Sequence, residues 1–108
     1  MSQISTRLSD LFNQIPRRHS PENVKEIYQL LTDYEALLIQ VEALNAYYEK
    51  ITPVFFNQLE EVRAGIKKST DPKASKKMKD HYFDEASGIL KDSVQELMKV
   101  YGDGTHTS

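Results

Sequence analysis

The sequence predicts an all-α antiparallel helical bundle of four helices, two long and two short. Three observations carry the prediction. Apolar residues recur at alternating steps of three and four along most of the chain, which is the repeat of one helix face. Ser20-Pro21, Thr52-Pro53 and Asp71-Pro72 each set a helix-capping residue type directly before a proline. The 108 residues include only four glycines and no cysteine, which disfavours a turn-rich β fold and excludes a disulfide scaffold. A long kinked helical hairpin that dimerises through its seam is the alternative. A single domain over residues 1–101 is expected, with 102–108 as a disordered polar tail.

The first helix is expected to start near Ser2, with Ile4, Leu8, Leu11 and Ile15 on one face and Pro16 as its stop. Residues 16–20 then form a polar connection. The second helix starts at Pro21, where the missing N–H costs nothing, and Ser20 caps it. Val24, Ile27, Leu31, Tyr34, Leu38 and Val41 form a coiled-coil-like seam, flanked by a row of Leu30, Leu37, Leu44 and Ile51. So wide a stripe fits a bundle with more than one neighbour per helix.

The same phase runs on through Asn45, Tyr48, Thr52, Phe55, Leu59, Val62 and Ile66, straight across Pro53. Two readings follow. One is a break or sharp kink at Pro53, since a proline inside a helix costs about 3 kcal/mol. The other is one kinked helix over 21–68, about 70 Å long. The break is the preferred reading. The last helix is expected from Pro72 to Tyr101, with Met78, Tyr82, Phe83, Ala86, Ile89, Leu90, Val94, Leu97, Met98 and Tyr101 facing the core. Gly102-Asp103-Gly104 would then stop it.

The formal net charge of −2 hides a strong asymmetry. Residues 63–79 hold Arg63, Lys67, Lys68, Lys73, Lys76, Lys77 and Lys79 against Asp71 alone, a net +6, while 1–62 and 80–108 carry −4 each. The basic block falls at the connection before the last helix, so one end of the bundle is expected to be positive. Lysines in the first turns of a helix oppose its dipole, which makes them locally unfavourable and open to a functional explanation. A solvated face is the plain reading of such a run; among functional readings an acidic protein partner fits this end better than nucleic acid does. The block lacks interleaved aromatics for base stacking, and Arg63 is its only arginine. Too little apolar content accompanies it for an interfacial membrane anchor.

Tyr47, Tyr48, Phe55 and Phe56 cluster around Pro53. Asn45 at a seam position resembles the polar devices that fix register and oligomer state. Asn45, Tyr47, Tyr48, Phe55 and Phe56 are therefore expected to form one partner-contact region, and Lys67, Lys68, Lys73, Lys76, Lys77 and Lys79 another. The expected function is a non-catalytic protein-interaction module of the adaptor, chaperone-like, inhibitor or immunity-type regulator kind, with a homodimer expected. Nucleic-acid or anionic-surface binding through residues 63–79 is the alternative.

No catalytic residue is expected, because nucleophile elbows, phosphate loops and dinucleotide glycine patterns are all missing. His81, Asp84 and Glu85 share a helix face, yet the chain lacks the Glu-x-x-His pair of carboxylate metal bundles, so no metal or other cofactor is expected. No apolar run approaches the roughly 20 residues of a membrane span. With no leader pattern at the N-terminus, a cytoplasmic location is expected, with leaderless secretion as the alternative.

Overall fold

The computed structural model describes residues 3–16 and 18–107, and beyond Tyr101 only the backbone. The chain forms a four-helix all-α bundle of α1 (Gln3–Gln14), α2 (Pro21–Glu42), α3 (Ala46–Ser69) and α4 (Lys76–Thr107). Short connections reverse the chain between helices, so neighbours run antiparallel. α1 packs on α2, α2 on α3, α3 on α4 and α4 back on α1, closing a ring in which the α3–α4 contact is the most extensive. The molecule is a rod of 50 × 23 × 17 Å. Its long dimension matches α4, whose 32 residues span about 48 Å at ~1.5 Å each.

The start of α2 is as the sequence predicts. Ser20 Oγ accepts the Asn23 N–H at 3.0 Å, and Pro21 opens the first turn. The expected start near Ser2 lies outside the described residues. The other two proline signals mean something else. At Asp71-Pro72 the chain makes a turn, in which the Ala74 N–H reaches the Asp71 carbonyl at 3.1 Å and the Lys73 N–H reaches Asp71 Oδ1 at 2.9 Å. Proline is as well suited to the second place of a turn as to the first place of a helix, so the motif is ambiguous. α4 starts only at Lys76, where Ser75 Oγ accepts the Met78 N–H at 3.2 Å.

Pro53 neither breaks the chain nor lies in a helix over 21–68. The break comes earlier, at residues 43–45, and Asn45 caps α3 by accepting the Tyr48 N–H at 3.0 Å. Asn45 is thus an exposed N-cap and not a buried seam residue. Pro53 sits inside α3 on an exposed position, where water can serve the carbonyl that its ring leaves unbonded. The apolar phase crosses Pro53 because it belongs to one helix there: Tyr48, Thr52, Phe55, Leu59, Val62 and Ile66 are all buried. The helices of 12, 22, 24 and 32 residues replace the expected alternation of short and long. The backbone of α4 also stays helical through Gly102-Asp103-Gly104 to Thr107, so the expected glycine stop is not used.

The core gathers Leu8 and Leu11 of α1, the α2 seam, the α3 seam, and Phe83, Leu90, Val94, Leu97 and Tyr101 of α4. Two polar details matter within it. Tyr34, fully buried, shares a 2.7 Å hydrogen bond with Ser93 Oγ on α4. Among the described residues, the buried Thr52 Oγ1 finds no hydrogen-bond partner. α3 and α4 come close where Gly65 faces Ala86, so that a Cβ at residue 65 would lie 2.9 Å from the Ala86 Cβ.

Candidate functional site

The rod has two contrasting ends. At the α2–α3 turn, Tyr48 is buried, with Tyr47 edge-on at 5.2 Å and Tyr101 at 5.8 Å. Burial, with the neighbouring Tyr101 and Tyr47 phenols, raises the Tyr48 hydroxyl pKa. Phe55 is likewise buried, and Phe56 packs half-buried against the core. The five residues expected as one contact region are therefore divided. Asn45 and Tyr47 face solvent, Phe56 is partly available, and Tyr48 and Phe55 hold the bundle together.

Solvent meets other apolar residues near this turn. Leu44, placed in a flanking core row by its spacing, is 48% exposed, alongside Tyr47 at 55% and Val54 at 58%. Tyr47 and Val54 are seven residues apart, so they lie on one side of α3. Ile39 on α2 is also exposed. Ile39 and Val54 were legible as apolar residues off the periodic stripe, and that is the signal the heptad reading passes over.

The opposite end carries the basic block. Lys67 and Lys68 stand in the last turn of α3, where cations suit the helix dipole. Lys73 lies in the turn, and Lys76, Lys77 and Lys79 begin α4, where they oppose it. The expected clustering at one end is present, but two members are engaged. Arg63 Nη2 donates to Glu35 Oε1 at 2.8 Å and its other nitrogen meets Glu60. The Glu35 bond raises the Arg63 pKa further, against a smaller opposing effect of burial. The Lys68 ammonium lies 5.8 Å from the centre of the Tyr82 ring. Among the described residues, Lys67, Lys73, Lys76, Lys77 and Lys79 have no carboxylate within ion-pair distance.

The fold adds two residues to this end that the block in the sequence does not contain. Arg18 and His19, from the α1–α2 connection, line an open cleft of about 520 Å³ with Lys76, Lys77, Asp80 and His81. His19 Nδ1 stands 3.7 Å from Asp80 Oδ1, and its ring packs edge-on against Phe83 at 5.6 Å. His81 pairs with Glu85 at 3.3 Å on an exposed surface, the i, i+4 contact its spacing suggests. Among the described residues no three His, Asp or Glu side chains converge as a metal site, and no helix is long and apolar enough to cross a membrane.

Comparison with protein-family models, with curated proteins and with solved structures finds no match to this chain.

Proposed function

We propose that the protein is a non-catalytic protein-interaction module, acting as an adaptor, chaperone-like factor, inhibitor or immunity-type regulator. The observation that carries this reading is the half-exposed apolar group of Leu44, Tyr47 and Val54 at the α2–α3 turn. Apolar and aromatic side chains at such exposure are the anchors that interfaces bury. The proposal includes a homodimer through this face, and an acidic partner selected by the unpaired lysines at the other end. Such charge complementarity acts chiefly on partner choice and association rate.

Sedimentation of the Tyr47→Glu/Val54→Glu variant tests the apolar face. The wild type is expected to sediment as a dimer and the variant as a monomer with unchanged helicity. A wild type that is monomeric at every concentration rejects the homodimer. The Lys76→Glu/Lys77→Glu/Lys79→Glu variant tests the basic end, and is expected to lose the acidic partner while keeping the dimer.

The second reading is nucleic-acid or anionic-surface binding through residues 63–79, favoured by the same unpaired lysines. Contacts to several phosphates would make affinity fall steeply with added salt. Failure to retain nucleic acid or anionic vesicles even at low salt removes this reading.

A further inference from the structure

One side of α3 carries a row of open positions. Tyr47, Val54 and Glu61 follow one another at steps of seven residues, which keeps them nearly in line along the helix. Lys50 lies beside the row, between the first two. All four are exposed, and the apolar members are among the most open in the protein, Tyr47 at 55% and Val54 at 58%. Neither Lys50 nor Glu61 has an ion-pair partner among the described residues, whereas the adjacent Glu60 is taken up by Arg63.

The row is complementary to itself. Val54 is its middle, with tyrosine and lysine on the N-terminal side and glutamate on the C-terminal side. Turned about a two-fold axis through Val54, Tyr47 of one copy meets Glu61 of the other, because each stands seven residues from the axis. Lys50, four residues from the axis, falls within one helical turn of the same Glu61. The symmetry doubles each contact, so a Lys50–Glu61 pair flanks the central valines on either side. A parallel two-fold pairing instead sets Lys50 against Lys50 and Glu61 against Glu61, where like charges repel. The charges therefore select the antiparallel arrangement.

We propose that a second copy of this chain docks on this row with its α3 antiparallel, Val54 on the two-fold axis, and Glu61 of each copy against Tyr47 and Lys50 of the other. The inference rests on the homodimer proposed above and gives that dimer its direction and register. Tyr47 and Val54 supply the apolar surface removed from water, and the charges fix the alignment. The overlap from Tyr47 to Glu61 is about 21 Å long at ~1.5 Å per residue. So short a contact belongs to the reversible class, and the dimer dissociates on dilution.

Because the chain has no cysteine, cross-linking of the full chain reads the register directly. A disulfide forms only where two Cα atoms come within about 7 Å. Val54→Cys, on the axis, is expected to link to a second copy of itself. Tyr47→Cys and Glu61→Cys are each expected to stay unlinked alone, since like positions lie about 21 Å apart along the pair, and to link when the two variants are mixed. In sedimentation, Glu61→Lys is expected to weaken the dimer about tenfold, and Lys50→Glu/Glu61→Lys to return it to within about threefold of the wild type. Circular dichroism checks that each variant keeps its helices. A dimer in which Val54→Cys fails to link, Tyr47→Cys links to itself, or the charge swap gives no recovery overturns the register and leaves the homodimer standing. A wild type that is monomeric at every concentration overturns both.

Discussion

Tyr34 on α2 and Ser93 on α4 share a 2.7 Å hydrogen bond between buried hydroxyl groups 59 positions apart in the chain. It links two helices that are not neighbours in the ring. Either single truncation leaves a buried hydroxyl without its partner, a loss of about 1–2 kcal/mol. Tyr34→Phe and Ser93→Ala are each expected to lose that much in urea unfolding. The double variant is expected to lose less than the two combined, because no orphan remains.

Burial drives the Tyr34 phenol pKa well above its ordinary value, and the Ser93 bond opposes this only in part. The unfolded chain releases this proton near pH 10 while the folded chain keeps it. The stability is therefore fully present below pH ~10 and falls above it, by about 1.4 kcal/mol per pH unit until the folded group also ionises. Alkaline unfolding curves of the wild type and Tyr34→Phe should show the slope shrink in the variant.

Two glycines predict opposite signs. Gly65→Ala puts a methyl 2.9 Å from the Ala86 Cβ, which has no rotamer by which to retreat. Overpacking of about 1–3 kcal/mol outweighs the ~1 kcal/mol gain in helix propensity, so melting temperature falls. Adding Ala86→Gly should restore part of it. At Gly88 a Cβ meets nothing within 4 Å, so Gly88→Ala is expected to stabilise by about 0.5–1 kcal/mol.

Thr52 is fully buried, and its Oγ1 has no hydrogen-bond partner among the described residues. Thr52→Val exchanges that hydroxyl for a methyl of similar shape. The variant is expected to gain about 1 kcal/mol in thermal or denaturant unfolding.

Asn45 acts through its side-chain oxygen on the Tyr48 N–H. Asn45→Asp keeps an acceptor and is expected to be near neutral. Asn45→Leu removes it, costs about 1 kcal/mol, and leaves the sedimentation profile unchanged if capping is the residue's whole role.

The all-α class, the start of α2 and the buried faces of α2 and α3 were legible because a 3–4 apolar rhythm depends only on local helix geometry. Where helices begin was harder to read. Ser20-Pro21 and Asp71-Pro72 look alike in sequence, yet one opens a helix and the other a turn, since which backbone groups remain to be bonded is settled by the surrounding chain. The α2–α3 break carries neither glycine nor proline, and its single local signal is the capping preference of Asn45. At the candidate surfaces, the lysine cluster was legible from its density along the chain. Tyr48 lies on the 3–4 apolar phase and Tyr47 off it, so the rhythm already separated the buried phenol from the exposed one, and grouping both as contact residues set that signal aside. Arg18 and His19 join the basic end only through the ring closure of α1 on α4.

That closure has a kinetic meaning. α1, α2 and α3 each pack on the next helix along the chain, so these contacts form over short loops, and such topologies fold quickly. Only the α1–α4 contact joins the two extremes of the sequence. α1, the shortest helix and the one with the least extensive contacts, is expected to be the first piece released. Native-state hydrogen exchange is expected to find it the least protected of the four, so the two ends of the sequence part company before the rest of the bundle opens.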